Sequence, residues 1–127
     1  MLTHRGLTNN ARLAADAIGM RAGDVLINPM PLFHVAGGGL LTLGPAQTLG
    51  TQVLPPGFDP AQLLELIETY RSPIIGGMPA MLTALLGHPG LTQRDLSSLR
   101  CAYSGGAPAP ADLVQQLEAA RCRVMLK

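Results

Sequence analysis

The sequence predicts an α/β fold in which helices cover a mostly parallel β-sheet. Short runs of apolar residues, typical of buried strands, alternate along the chain with segments whose apolar residues recur at helical spacing. The strand runs are apolar throughout, as expected when helices cover both faces of a sheet. The 127 residues suffice for one domain, and no internal repeat or shift in composition divides them.

The first half of the chain contains two predicted helices and two predicted strands. A helix over residues 8–18 would begin at its threonine, a capping residue, and end at Gly19, where a left-handed residue is common. Residues 25–27 predict a strand, which the Asn-Pro dipeptide after it ends. Residues 35–43 are apolar and predict a helix, although three glycines weaken it. A second strand is predicted over residues 52–54.

The second half begins with the best-defined helix, over residues 59–70. Asp59 is a capping residue, Pro60 suits the first turn, and the leucine and isoleucine residues that follow lie on one face. The other predicted elements are strands over residues 74–75, 100–103 and 123–126 and helices over residues 79–86 and 110–121. The loops after the strands would share one edge of a parallel sheet, where ligands bind in such folds.

Composition argues against nucleic-acid binding and against a membrane span. The net charge is +1, no run of cations occurs, and the chain has two Phe, two Tyr and no Trp, so neither a basic surface nor stacking aromatics are available. Residues 25–58 and 72–93 contain no Asp, Glu, Lys or Arg, but prolines and glycines interrupt both segments. We expect these segments to be buried against other protein.

The cysteines and histidines indicate a compartment and argue against a metal site. Cys101 and Cys122 are the only cysteines, and no secretory signal precedes them, which predicts a reduced, cytoplasmic environment. His4, His34 and His88 are too scattered to give a metal-ligand spacing, so no metal held by protein ligands is predicted.

Two glycine-rich segments fail to match the common glycine motifs. After residues 37–39, Thr42 stands where the dinucleotide-binding pattern needs its third glycine, and residues 45–46 replace the lysine and hydroxyl residue of a phosphate-binding P-loop. Around Ser104, Ala102 occupies the first glycine position of the hydrolase pattern, and no histidine follows. A Rossmann-like oxidoreductase and a serine hydrolase are therefore disfavoured.

The residues alone leave the role of His34 open. A single histidine in an apolar run is either a hydrogen-bonded core side chain or a group that faces a ligand. Residues 104–108 present the same choice, because a glycine-rich turn either connects a strand to a helix or lets a ligand approach the backbone closely.

Six segments, in this order along the chain, resemble the AMP-forming adenylating enzymes. They read LTHRGL, PLFHVAGG, GFDP followed by LELIETYR, GGMPAML, DLSSLR and YSGGAPAP. Together they are similar to the large N-terminal domain of this superfamily, which includes acyl-CoA synthetases, luciferase and the adenylation domains of peptide synthetases. The resemblance covers essentially the whole chain and is closest to medium- and long-chain or aryl acyl-CoA ligases. It implies that residues 1–127 are a single partial domain.

The resemblance also implies roles for residues in two loops. His34 matches the position beside the bound carboxylate, and is implied to be a catalytic residue whose ring moves between the adenylation and thiolation steps. Ala36, Gly37, Gly105 and Gly106 match positions that line the acyl cavity. The positions that match the adenine-contacting loop are Gly106, Ala107 and Pro108.

The function that the resemblance implies is that of an ATP-dependent acid–thiol ligase. Such an enzyme activates a carboxylic acid, here a fatty or aryl acid, as an acyl-adenylate and transfers the acyl group to CoA, using ATP and Mg²⁺. Leu2-Thr3-His4 matches only the tail of the family's phosphate loop. The working part of that loop, the magnesium-binding acid and the C-terminal domain match nothing in these residues. We therefore expect the chain to hold none of these ligands fully, to need the remainder of the N-terminal domain and the C-terminal domain, and to be inactive alone. The alternative is a truncated acyl-binding relic without catalysis.

Overall fold

A computed structural model, which describes residues 2–120 and 122–126, confirms the α/β class. Five parallel strands form one sheet in the order β2-β1-β3-β4-β5. The strands are β1 (Val25–Ile27), β2 (Thr51–Val53), β3 (Ile74–Gly77), β4 (Cys101–Ser104) and β5 (Arg123–Leu126). All five lie within two residues of the predicted strands.

Helices cover both faces of this sheet. They are α1 (His4–Ile18), α2 (Leu41–Thr48), α3 (Pro60–Tyr70), α4 (Pro79–Leu86) and α5 (Ala111–Ala119), with a π-helix over Val35–Leu40 and a 3₁₀ helix over Pro89–Gln93. Successive strand residues enter different cores, because side chains alternate across a strand. Leu26 and Ile74 pack with α1 and α2, whereas Ile27 and Ile75 pack with α3, α4 and α5.

Capping explains where the prediction of helices was right and where it was wrong. The helix α3 begins as predicted, with Asp59 Oδ1 accepting a hydrogen bond from Ala61 N at 2.9 Å. The start of α1 was predicted too late, because Thr3 rather than Thr8 caps it, with Thr3 Oγ1 accepting from Gly6 N at 3.0 Å. The predicted end of the last helix, Arg121, lies outside the described residues.

The segment predicted as one helix over residues 35–43 is helical, but it consists of two helix types and continues to Thr48. The segment starts as a π-helix, in which Leu41 N donates to Ala36 O five residues earlier, and continues as α2. A π turn is wider than an α turn, and such turns occur frequently at functional sites.

Within the chain itself the charge-free segments are only partly buried, and their expected burial against other protein stays a prediction. Phe33 is 94% exposed, and Leu32 and Leu54 are also exposed. Met78 is 45% exposed. No helix in the described part of the chain combines the length and the apolar composition that a membrane span requires.

A partly buried ion pair joins three elements at the amino edge of the sheet. Arg100, just before β4, contacts both carboxylate oxygens of Asp24, just before β1, with Arg100 Nη1 at 3.2 Å from Asp24 Oδ1. The Arg100 guanidinium also donates to Gly19 O at the end of α1, at 2.8 Å. Burial opposes ionisation of Asp24, but the hydrogen bonds from Arg100 and from Arg21 N prevail and hold its pKa below the usual value of 3.8.

We predict that Asp24→Asn lowers the free energy of unfolding at pH 7 by about 2 kcal/mol, because hydrogen bonds between charged groups are lost. A carboxylate whose pKa is lower in the folded state stabilises the fold above its unfolded pKa. The difference from the wild type should therefore shrink as the pH falls below 3.8. Urea unfolding at several pH values measures it.

The control is Asp16→Asn, which removes the exposed pair with Arg12. We expect that variant to change stability by less than about 0.5 kcal/mol. Equal losses in the two variants would contradict the assignment.

Candidate functional site

A cavity of about 480 Å³ opens at the carboxyl edge of the sheet, within the size range of small-molecule sites. It lies between the loops that follow β1, β3 and β4, as predicted for a parallel sheet. None of its lining residues is Asp, Glu, Lys or Arg. They are Asn10, Met30, Pro31, Phe33, His34, Val35, Ala36, Leu40, Leu41, Gly77, Met78, Tyr103, Gly105 and Gly106.

One wall of the cavity is the loop after β1 and the π-helix that it enters. The loop folds back tightly onto the helix, since a Cβ on Gly37 would lie 2.8 Å from Met30 O and closer still to Pro31 O. A Cβ on Gly38 would meet Leu32 O in the same way. Because Gly37 and Gly38 have no side chains, the loop backbone can approach the π-helix closely. This approach places the residues that connect the loop to the helix on the cavity wall.

His34 stands at the beginning of the π-helix with its ring on the cavity wall. Its Nδ1 accepts a hydrogen bond from Ala36 N at 3.1 Å, so the neutral ring carries its proton on Nε2. The side chain is exposed, so it is not a core histidine, and its role towards a ligand stays a prediction. A ring in this tautomer offers a donor at Nε2.

The opposite wall comes from β4 and the loop after it. Gly105 and Gly106 line the cavity, and Gly106 has a positive φ of 84° that a side chain would strain. Tyr103 forms part of the same wall, and burial raises the pKa of its phenol. The phenol therefore stays protonated at neutral pH.

Of the seven residues predicted to contact the acid or the adenine, the structure brings four together at the cavity and leaves three apart. His34, Ala36, Gly105 and Gly106 share the cavity. Gly37 lies behind the wall, where the loop covers it, and does not line the cavity as predicted. The remaining predicted residues, Ala107 and Pro108, are exposed and lie outside the lining. Their roles stay predictions.

Sequence reasoning missed three polar residues that support the wall. Asn28 is only 1% exposed, and its side-chain amide donates to Gly37 O at 3.1 Å. Thr42 Oγ1 donates to the same oxygen at 2.7 Å, and Gln52 Nε2 donates to Thr42 Oγ1 at 2.9 Å. The Asn-Pro dipeptide signalled a turn at residue 28, but no local signal identified the distant partner.

A second cavity, of about 560 Å³, lies beside the first. The two share Met30, Pro31 and Met78, so the same residues form a partition between them. The second cavity extends towards the loop between β2 and α3, including Phe58.

The described residues supply neither a serine or cysteine nucleophile nor a metal centre at this edge. Ser104 Oγ is buried without a hydrogen-bond partner in the described residues, and Ser104 does not line the cavity. Burial and the neighbouring Cys101 raise the pKa of Cys122 to about 12, so its thiol stays protonated. Within residues 2–120 and 122–126, no group of three or more His, Cys, Asp or Glu is placed to hold a metal ion.

Comparison with known proteins identifies the family to which the chain is similar. The family model for "AMP-binding enzyme" matches residues 1–126. Feruloyl-CoA synthase of an Amycolatopsis species is 37% identical over 116 residues, which are 91% of this chain and 24% of that protein. The chain therefore spans about a quarter of the length of this relative.

Solved structures show the same fold. The N-terminal domain of FACL13 from Mycobacterium tuberculosis matches with a TM-score of 0.85 and 30% identity, over 94% of this chain and 31% of that chain. The anthranilate CoA ligase AuaEII, in complex with anthranoyl-AMP, matches with a TM-score of 0.88 and 26% identity, over 98% of this chain and 25% of that chain.

We predict that Gly37→Ala destabilises the fold, because the added methyl group would clash with Met30 O and Pro31 O. Overpacking of this kind costs about 1–3 kcal/mol, which outweighs the gain of up to about 1 kcal/mol from replacing glycine in a helix. Gly57→Ala is the control, since no atom lies within 4 Å of the added Cβ. Thermal unfolding measures both, and a Gly37→Ala variant as stable as the control would contradict the tight approach.

Proposed function

Because the chain belongs to the family of AMP-binding enzymes, we propose that it forms the acid-binding part of an ATP-dependent acid–thiol ligase. The observation that carries the proposal is that His34 and the Gly105–Gly106 turn line one apolar cavity. The similarity to a feruloyl-CoA synthase and to a CoA ligase in complex with an acyl-AMP supports the same chemistry.

The acid that suits this cavity has an apolar body. The walls are mainly apolar side chains and glycine backbone, and they carry no charged Asp, Glu, Lys or Arg side chain that would favour a polar or charged tail. We propose a fatty or aryl carboxylic acid, whose tail contacts Met30, Val35 and Leu40 while the carboxylate lies near His34.

The proposed reaction has two steps. First, a carboxylate oxygen attacks the α-phosphorus of ATP, a new P–O bond forms, and the bond to pyrophosphate breaks. Second, the sulfur of CoA attacks the carbonyl carbon of the acyl-adenylate, the thiol proton is lost, and AMP leaves. Catalysis of the first step is mainly positioning and charge stabilisation.

The described residues contribute positioning to this reaction. His34 Nε2–H would donate to the carboxylate and orient one oxygen outward for attack, since Nδ1 is already occupied by Ala36 N. The backbone of Gly105 and Gly106, without side chains, would let the acyl group and the nucleotide approach β4 closely. The protonated Tyr103 phenol adds a donor on the same wall without adding negative charge.

The cavity lacks the charged side chains that the binding of ATP and Mg²⁺ requires. No carboxylate lines it and no metal-ligating group of three occurs within the described residues, so we assign no metal-dependent step to them. We propose that ATP, Mg²⁺ and CoA are bound jointly with the regions that the longer relatives contain beyond the matched part, in a cytoplasmic enzyme.

We predict that the chain binds a fatty or aryl carboxylic acid weakly, with a Kd of about 1 mM, because only one part of the ligase contributes contacts. Titration of ¹⁵N-labelled protein with octanoate should shift the amide signals of Ala36, Gly105 and Gly106. Octanol has the same tail but no carboxylate. Octanol should shift the signals of the tail-contacting residues and leave the His34 ring signals unchanged, whereas octanoate should shift both. Shifts confined to another face would contradict the proposal.

We also predict that the chain alone releases no pyrophosphate from ATP in the presence of Mg²⁺, octanoate and CoA, because the cavity lacks charged groups to stabilise the phosphates. A coupled pyrophosphate assay with a no-protein control measures this. Release above that control which His34→Ala abolishes would show that the chain is a complete catalyst.

A further inference from the structure

We propose that Asn28 is a positioning residue for the acid cavity, because its side-chain amide holds the loop that carries His34. This inference rests on the proposed function, since it concerns acid binding in that cavity. Asn28 directly follows β1 and is 1% exposed. Its Oδ1 accepts from Met30 N at 3.0 Å, and its Nδ2 donates to Gly37 O at 3.1 Å. One side chain therefore bridges the start of the loop and the π-helix at its end.

The oxygen that Asn28 reaches lies in the wide turn of the π-helix. Gly37 is buried, and Thr42 Oγ1 also donates to its carbonyl oxygen at 2.7 Å. Gln52, in β2, donates from Nε2 to Thr42 Oγ1 at 2.9 Å and to Leu41 O at 3.0 Å. A buried polar group without a partner is costly, and these side-chain donors contribute to satisfying the buried carbonyl oxygen of Gly37. The network therefore connects the π turn to the end of β1 through Asn28 and to β2 through Gln52.

His34 lies between the two points that Asn28 holds. The backbone on either side is short and bonded to itself, with His34 N donating to Pro31 O at 3.1 Å and Gly38 N donating to His34 O at 2.9 Å. A movement of Gly37 or Met30 would therefore displace the imidazole. Asn28 lines the second cavity but not the first, so it would touch no acid in the first cavity and would act on it through this loop.

The shape of the side chain matters less than its donor. Aspartate has the same shape as asparagine, keeps the acceptor for Met30 N, and loses the donor to Gly37 O. It would also bring a negative oxygen against the carbonyl oxygen. Asn28→Asp thus removes the donor and adds a charge, whereas Thr42→Val removes the second donor to the same oxygen with little change of shape and no added charge.

Two controls separate positioning from stability. Ser72→Ala removes a buried hydroxyl at the other edge of the sheet, where Ser72 Oγ donates to Val25 O at 2.9 Å and to Ile74 O at 2.8 Å. Thr42→Ser keeps the hydroxyl and should restore the wild-type behaviour that Thr42→Val loses.

The experiment measures amide hydrogen exchange at Ala36 and Gly38, relative to exchange at Ile67 in α3, and the Kd for octanoate. We expect Asn28→Asp and Thr42→Val to accelerate exchange at both loop amides at least tenfold and to weaken octanoate binding about fivefold. Ser72→Ala and Thr42→Ser should leave the relative exchange and the Kd within twofold of the wild type.

Several outcomes would overturn the inference. They are unchanged loop exchange in Asn28→Asp, an equal effect in Ser72→Ala, and faster exchange with an unaltered Kd. If Asn28→Asp does not fold, the comparison of Thr42→Val with Thr42→Ser decides. If the wild type binds no octanoate, the proposed function fails, while the exchange data still decide whether Asn28 holds the loop.

Discussion

Parallel pairing of all five strands is the constraint on which the site depends. In a parallel sheet, each connection returns to the same edge before the next strand begins, so the loops that leave the strands all emerge at the opposite edge. The loop after β1 and the loop after β4 are therefore neighbours around one cavity, although β3 and its flanking helices separate them in the sequence. His34 and Gly105 meet for this reason.

The two edges of the sheet differ in the interactions that hold them. At the amino edge, Asp24 and Arg100 join β1, β4 and the end of α1 through charge. At the carboxyl edge, neutral amide and hydroxyl groups support a cavity without charged Asp, Glu, Lys or Arg side chains. The ion pair stabilises the fold at a distance from the apolar cavity. Asp24 and Arg100 therefore do not compete with a bound acid for the groups that line the cavity.

Local signals predicted much of the fold, and long-range contacts explain most of the errors. Asp59 and Pro60 define the start of α3 wherever the helix packs, so that boundary was right. Thr3 and Thr8 are both capable caps, and the sequence does not distinguish them. The amide of Asn28 donates to Gly37 O in the π-helix, a long-range contact that local periodicity does not reveal.

The site itself was predicted through a family resemblance and not through spacing. That resemblance placed both His34 and Gly37 beside the acid, whereas only His34 lines the cavity, and its catalytic role stays a prediction. A glycine indicates that something comes close to the backbone, without indicating from which side, and here the close neighbour is the chain's own loop.

More hydrogen bonds hold the backbone around His34 than hold its imidazole ring. Several hydrogen bonds fix the backbone, whereas one bond of 3.1 Å, from Ala36 N, restrains the exposed imidazole. A bond of this kind contributes about 1 kcal/mol, little more than thermal energy. Rotation of the His34 side chain about χ1 would therefore open or block the mouth of the cavity quickly, without any rearrangement of the main chain.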